Sequence, residues 1–118
     1  MTTFAYLCRC MRKIVTYGGY FESFIATLSE RVVRKIDYGL ALLRTQERIP
    51  TKHVKYLEDG LYELRTEVDG NIYRTFFIFD EGKLVVLFNG FQKKTQTTPR
   101  NEIEKAKRIK AEYYGTRK

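Results

Sequence analysis

A two-residue turn at Asp69-Gly70 constrains the fold of this 118-residue chain more than any other feature. It separates two runs in which apolar and polar residues alternate, at 61–68 and 71–79. Asp-Gly between such runs is among the strongest short-range signals of a β-hairpin, because both turn positions need residues that tolerate positive φ. The sequence therefore predicts an antiparallel strand pair with a definite register.

That register sets two like charges against each other. Counting outward from a two-residue loop places Arg65 directly opposite Arg74. Like charges in this position destabilise a sheet, so we predict that the two guanidiniums bind an anion. The alternative is structural: the arginines form ion pairs with Glu63 or Glu67, or contact the C-terminal end of a helix.

Composition indicates the kind of partner. The chain has 22 Lys and Arg against 14 Asp and Glu, a formal net charge of +8. Such an excess favours a polyanionic partner, namely nucleic acid, the ribosome, an acidic protein segment or an anionic membrane surface. Hydrophobic residues make up 43% of the chain, enough for the core of one domain spanning 1–118.

Targeting and metal-binding signals are weak. Apolar runs are far shorter than the ~20 residues that span a membrane, and the N-terminus lacks the pattern of a signal peptide, so we expect a cytoplasmic protein without membrane partners. Cys8, Cys10 and a single histidine, His53, are too few for a zinc site, and no cofactor is expected. We interpret His53 as a surface or loop residue. Met11 offers a second chain start, which would make residues 1–10 an extension without a role in the fold.

The remaining elements follow from hydrophobic spacing and caps. Helical spacing over 20–28, and over 29–44 with Ser29 as N-cap, predicts a helical hairpin. The C-terminal segment is predicted to be a helix opened by Pro99, with Thr98 as cap and Ile103, Ala106, Ile109 and Tyr113 on its inner stripe. The predicted strands are 12–16, 61–68, 71–79 and 83–91, and residues 51–60 are interpreted as a basic connector. The fold class is therefore α+β, with a small, mostly antiparallel sheet.

The length of the turn between the predicted strands 71–79 and 83–91 leaves one alternative open. A four-residue loop after the second hairpin strand would put Asn89, Phe91 and Lys93 beside the arginines, whereas a three-residue loop would select Phe88 and Gln92, because side chains alternate between faces.

Several strings of this sequence, in their order and spacing, resemble the RelE/ParE toxin superfamily. They are LYELR at 61–65, Tyr73-Arg74 and FQKKTQTTP at 91–99, followed by a helix rich in Lys and Glu. The most similar branch is the phage-derived, HigB-like toxins of type II toxin–antitoxin systems, over about residues 12–114. The resemblance implies a compact RelE-like domain, with two helices against one face of the sheet and a C-terminal helix nearby.

The resemblance also implies an activity, the ribosome-dependent cleavage of messenger RNA. Metal-independent cleavage by the 2′-hydroxyl needs a base, positive charge on the phosphate and an acid for the leaving 5′-oxygen. Arg65 and Arg74 are predicted to clamp the phosphate, because guanidinium matches it bidentately. They do not move protons, because arginine stays protonated in proteins.

The predicted proton carriers are lysine and tyrosine. Lys93 or Lys94 is expected to be the base, since neighbouring arginines disfavour a charged lysine and lower its pKa. Tyr62, Tyr73 or Tyr113 is the candidate acid, and Phe91 is expected to stack on a base of the RNA. The structural alternatives are that the lysines end a solvated strand and that the aromatic residues pack in the core.

Two other functions remain as alternatives. ParE-like members of the superfamily poison DNA gyrase by protein contact, and a non-catalytic or inactive relative would bind RNA or protein without cutting it. For the toxin, the expected partners are the ribosome, messenger RNA and a cognate helix-turn-helix antitoxin.

Overall fold

The computed structural model describes residues 11–93 and 98–116, and only the backbone of Lys93. The elements, in chain order, are strand β1 (Lys13–Thr16), helix α1 (Tyr20–Ile25), helix α2 (Glu30–Thr45), strands β2 (Val54–Glu58), β3 (Leu61–Val68), β4 (Asn71–Asp80) and β5 (Leu84–Lys93), and helix α3 (Arg100–Thr116). The proposed extension at 1–10 and the predicted base Lys94 lie outside the described residues.

The five strands form one mixed sheet in the order β1-β5-β4-β3-β2. β1 runs parallel to β5, and the other three pairings are antiparallel. The predicted α+β class with a small, mostly antiparallel sheet is confirmed.

Two hydrophobic cores lie on opposite faces of the sheet. The first gathers inward residues of α1 and α2, such as Phe21, Ile36 and Leu43, against Leu64 and Phe77. Within α2 the inner stripe begins at Val32, which is 6% exposed. Ser29 accepts a hydrogen bond from the backbone N–H of Val32, which confirms the predicted N-cap.

The second core lies under α3. Ile103, Ala106 and Ile109 are buried, and Tyr113 packs on them from the periphery, as the predicted stripe requires. They face Phe76 and other apolar residues of the sheet. The sheet is therefore covered on both faces, with the N-terminal helices on one and the C-terminal helix on the other.

The Asp69-Gly70 turn has the predicted geometry. Both residues have positive φ, 53° and 81°, and Val68 pairs with Asn71. Arg65 consequently pairs with Arg74, which confirms the predicted register.

The interpretation of residues 51–60 as a connector was incomplete, because β2 lies within it and pairs antiparallel with β3. A second turn of the same kind joins the two strands, since Asp59 and Gly60 have φ of 53° and 75° and connect Glu58 to Leu61. The signal was present in the sequence as a second Asp-Gly, ten residues before the first.

The β4–β5 turn resolves the open alternative in an unexpected way. Asp80 pairs with Leu84, so the loop has three residues. Further along, the register shifts between Thr75 and Phe77, and beyond this bulge Arg74 pairs with Phe91. The bulge thus restores the pairing partner that the four-residue loop would have selected.

Two helix boundaries differ from the prediction. α1 ends at Ile25 instead of continuing to residue 28, and α3 begins at Arg100, after Pro99. The hydroxyl of Thr98, predicted to cap α3, donates instead to Glu63 Oε1 at 2.8 Å. None of the helices in the described ranges is both long and apolar enough to cross a membrane.

Candidate functional site

The opposed arginines Arg65 and Arg74 differ in their surroundings. Arg74 is 2% exposed, and its Nη1 donates to Glu63 Oε2 at 2.5 Å, with Glu63 itself fully buried. Thr98 completes the cluster, because its hydroxyl accepts from Arg74 at 3.3 Å and donates to the second oxygen of Glu63. Ion pairing with Glu63, one of the structural alternatives drawn from the sequence, is therefore the arrangement found for Arg74.

Arg65 lies on β3 one residue beyond the end of its pairing with β2. β2 pairs with β3 as far as Val54 and Leu64, and the N–H of Arg65 donates to the carbonyl of His53 at 2.7 Å. Beyond this point β3 has no partner on its outer side among the described residues. The Nε of Arg65 is buried there and has no hydrogen-bond partner in the described part of the chain.

A cavity of about 470 Å³ opens at this margin of the sheet, between α2 and the end of the β3–β4 hairpin. We refer to it as the edge cavity. Its charged and polar lining consists of Lys35, Tyr38, Lys52, His53, Arg65, Thr66, Glu67 and Asp69. The volume falls within the usual range for sites that bind small ligands, roughly 300–1,000 Å³.

Basic groups dominate the edge cavity. Lys35, Lys52 and Arg65 contribute three basic side chains, and His53 adds an imidazole. Of the two carboxylates, that of Asp69 already accepts a hydrogen bond from Arg31 at 2.7 Å. The lining therefore carries excess positive charge and suits an anionic ligand such as a phosphate.

Among the predicted RNA-binding residues, Phe91 lies nearest the arginines. It pairs with Arg74 across β4 and β5, and its ring stacks on Phe76 with 5.6 Å between centroids. Phe91 is half-buried at the margin of the core under α3. Phe91 thus packs against the core, which was the structural alternative for the aromatic residues, and part of its surface stays accessible.

The three predicted tyrosines do not converge on one site. Tyr62 stacks on Phe77 at 5.6 Å, and Tyr73 is 7% exposed in the core beneath α2. Tyr113 packs on the opposite face, where its hydroxyl donates to Asp80 at 2.6 Å. Asp80 lies six residues beyond Arg74 on β4, roughly 20 Å away at the rise of a strand. No tyrosine of this group lines the edge cavity.

The position of Lys93 is defined by its backbone. It pairs with Ile72 in the β4–β5 register, and Ile72 lines the edge cavity. The backbone of Lys93 is therefore paired with a residue of the cavity lining and directly precedes Lys94.

Of the residues that line this cavity, the sequence singled out only Arg65 as a site residue, and two pairs that it did not assign to the site stand out. Lys52 and His53 were assigned to a connector, although the strand signal of the second Asp-Gly turn would have placed them beside β3. Lys35 and Tyr38 lie three residues apart on the outer face of α2, a spacing that puts them side by side. Only the packing of α2 on the sheet brings these two pairs together.

Comparison with known families gives a match over most of the described elements. The family model of phage-derived Gp49-like proteins (DUF891) matches residues 23–111, a range that includes α2, all the antiparallel strands and most of α3. The chain belongs to this family, which is part of the RelE/ParE-like toxin group. No curated protein matches the sequence.

Proposed function

We propose that this protein is the toxin of a type II toxin–antitoxin system, of the HigB-like branch, and that it cleaves messenger RNA on the ribosome. Membership of a family consistent with such toxins supports the first part. The observation that carries the second part is the edge cavity, which combines a half-buried arginine with two lysines and a histidine at an accessible margin of the sheet.

The proposed reaction uses the RNA as its own nucleophile. The 2′-oxygen forms a bond to the adjacent phosphorus while the bond from phosphorus to the 5′-oxygen breaks, leaving a 2′,3′-cyclic phosphate and a 5′-hydroxyl. A base takes the proton of the 2′-hydroxyl, and an acid gives a proton to the departing 5′-oxygen. The negative charge that develops on the phosphate oxygens is stabilised by fixed cations.

Arg65 is the proposed phosphate ligand. Among the described residues its Nε has no hydrogen-bond partner and its side chain forms no ion pair, and Arg65 lines the edge cavity, so its donors match a phosphate oxygen. Arg74 is buried against Glu63, so we assign it a positioning role. Through Thr98 it connects β4 to the residues that precede α3.

His53 is the first candidate for proton transfer, because imidazole changes charge near neutral pH and this side chain lines the same cavity as Arg65. Lys52 is adjacent to it. Lys93 and Lys94 remain candidates for the base, supported by the pairing of Lys93 with the cavity residue Ile72. Phe91 and the tyrosines Tyr62, Tyr73 and Tyr113 are secondary candidates for RNA contact.

The proposed partners follow from the same function. The ribosome and messenger RNA would be the polyanions that the net charge of +8 favours, and the site of action would be the cytoplasm. A cognate helix-turn-helix antitoxin would neutralise the toxin, either by covering the edge cavity or by blocking entry to the ribosome.

The test is repressible expression in bacteria of the wild type, Arg65→Ala and His53→Ala, with primer extension on a defined messenger RNA. Growth arrest with cuts in phase with codons is expected for the wild type. Each variant should cut at a rate lower by on the order of 10²-fold or more, because each loses a group that stabilises the transition state or moves a proton.

Arg108→Ala is the matched control, because Arg108 is exposed on α3 and is not part of the cavity lining. Growth arrest without cuts would replace the proposal with a gyrase-type target. Absence of arrest, with the protein folded, would indicate a binding module or an inactive relative. Equal cutting by Arg65→Ala and Arg108→Ala would remove the edge cavity from the mechanism.

A further inference from the structure

Phosphate binding does not explain why Glu67 is part of the edge cavity. Glu67 lines it among the cations, although a carboxylate weakens the attraction of the cavity for a phosphate. Within the described part of the chain, Glu67 forms no ion pair, unlike Asp69, whose carboxylate is bound to Arg31. Glu67 is exposed, so its oxygens are available to accept hydrogen bonds from a ligand.

Tyr38 provides a second unexplained group. It is 57% exposed, one of the few large apolar side chains of the described residues that face solvent, and it lines the same cavity. An exposed tyrosine beside cations is the arrangement by which proteins stack on nucleobases while the backbone of the RNA is held by charge. Lys35 lies one helical turn before Tyr38 and also lines the cavity.

From these observations we infer that the edge cavity binds a single guanine nucleotide of the RNA, with the base stacked on Tyr38 and its Watson–Crick edge read by Glu67. This inference rests on the proposed function and adds a preferred base to it. The phosphate of the nucleotide lies among Lys52, His53 and Arg65.

The chemistry of the bases selects guanine. Its N1–H and N2–H₂ are adjacent donors, which match the two oxygens of a carboxylate. Adenine and cytosine each present one amino donor next to a ring nitrogen that accepts, and that nitrogen repels a carboxylate. Uracil presents one N–H between two carbonyl acceptors. Carboxylate recognition therefore favours guanine, and a well-formed pair of such hydrogen bonds discriminates strongly between bases.

The first experiment measures binding of 5′-GMP, 5′-AMP and inorganic phosphate to the purified protein by isothermal titration calorimetry. The wild type should bind GMP about tenfold or more tightly than AMP, and phosphate more weakly than either. Glu67→Gln should lose most of this preference by weakening GMP alone, since the amide nitrogen now opposes the amino group of guanine. Glu30→Gln, which removes an exposed carboxylate outside the cavity, should retain it.

Stacking is tested separately. Tyr38→Leu should weaken GMP and AMP by a similar factor, about fivefold or more, because every base has an aromatic face. Tyr56→Leu is the matched control, since Tyr56 is 54% exposed on β2 but does not line the cavity. Because the Tyr56 ring contacts Tyr62 and its hydroxyl accepts from the Gly60 N–H, circular dichroism is measured for both variants to verify that they are folded.

A second readout separates this inference from the proposed function. Cuts mapped in cells should cluster at guanines for the wild type and spread to other bases for Glu67→Gln. Cuts without a guanine preference would overturn the inference and leave the nuclease intact. Selective GMP binding without cuts would support the inference and contradict the proposed nuclease activity. Equal affinities for GMP and AMP, an unchanged ratio in Glu67→Gln, or no saturable binding of GMP would overturn the inference.

Discussion

Arg65 and Arg74 show how two identical residues in one register acquire different roles. Glu63 pairs with Phe76 and lies diagonal to Arg74 on the same face, within reach of its guanidinium. This ion pair is buried, and the Thr98 hydroxyl hydrogen-bonds to both of its members. Arg65 lies two residues further along, where β2 has ended, and its side chain opens into the edge cavity.

Removal of Glu63 should be strongly destabilising. Glu63→Ala leaves the charge of Arg74 buried without its carboxylate, a change that costs about 3–5 kcal/mol in other buried pairs. The measurement is the free energy of unfolding in urea, with circular dichroism to monitor the helices.

The control is Arg31→Ala, which breaks the exposed pair with Asp69 and should cost less than about 1 kcal/mol. Similar losses in the two variants would mean that burial does not govern the stability of the Glu63–Arg74 pair.

At the scale of the element, α2 depends on a local signal. The backbone N–H groups of the first turn of α2 have no carbonyl partner within the helix, and the Ser29 hydroxyl accepts a hydrogen bond from one of them, that of Val32. Ser29→Ala should therefore lower the free energy of unfolding by about 1 kcal/mol. Ser23→Ala makes the same chemical change at an exposed position within α1 and should change it much less. Equal melting temperatures for wild type and Ser29→Ala would contradict the assigned cap.

α3 is attached to the sheet by a long-range network of charges. Arg100 donates two hydrogen bonds to the carboxylate of Glu58, at 2.5 and 2.7 Å, and Lys107 donates a third at 2.9 Å. Arg100, and then Lys107, lowers the pKa of Glu58 to about 2 from an ordinary value of 4.5. The network connects the end of β2 to the first half of α3.

This depressed pKa sets the direction of an acid effect. Because the folded state binds the Glu58 proton less tightly than the unfolded state, the contribution is full above about pH 5 and is lost as the pH falls from about 4.5 to 2. Glu58→Gln should therefore flatten the decline of unfolding free energy over this range. Urea titrations of both proteins at pH 7, 4 and 3 measure the free energy of unfolding.

Glu30→Gln is the control for acid unfolding, because Glu30 pairs with one exposed arginine on its own helix. It should leave the slope of stability against pH nearly unchanged. The same slope in wild type and Glu58→Gln would contradict the assigned role of the network.

At the scale of the whole molecule, ion pairs with Asp and Glu neutralise the basic residues of some regions more than those of others. Glu58 and Asp59 pair with basic residues of α3, and Glu63 is buried against Arg74. These pairs neutralise cations of the sheet and of α3, whereas the basic groups of the edge cavity outnumber its carboxylates. The net charge of +8 is therefore expected to attract RNA most strongly at the edge cavity.

The salt dependence of RNA binding tests this distribution. For a single-stranded oligonucleotide, Lys52→Ala/Arg65→Ala should reduce the slope of log affinity against log salt by ~1.4, or ~0.7 for each lost phosphate contact. Fluorescence anisotropy between about 50 and 200 mM salt gives the slope. Lys105→Ala/Arg108→Ala removes the same charge from exposed positions of α3 and should leave it unchanged. Equal reductions would indicate a diffuse electrostatic surface.

Local signals in the sequence determined much of the fold. The Asp69-Gly70 turn set the register of β3 and β4, and the spacing of apolar residues identified the helix α2 and the inner stripe of α3. The strand β2 was equally local, because its Asp59-Gly60 turn has the same form, and its omission was a missed signal. Each of these features depends on residues close together in the chain, so the sequence alone can specify them.

Other features required the tertiary structure. The β5 bulge, the burial of Arg74 against Glu63 and the edge cavity all depend on contacts between segments far apart in the chain. Lys52, His53, Arg65 and Tyr38 share one cavity only because α2 packs on the sheet where β2 ends. The sequence by itself determined the family resemblance and the pairing of the two arginines. Only the packing decided which arginine is exposed to a ligand, because burial depends on what covers a side chain from outside its own strand.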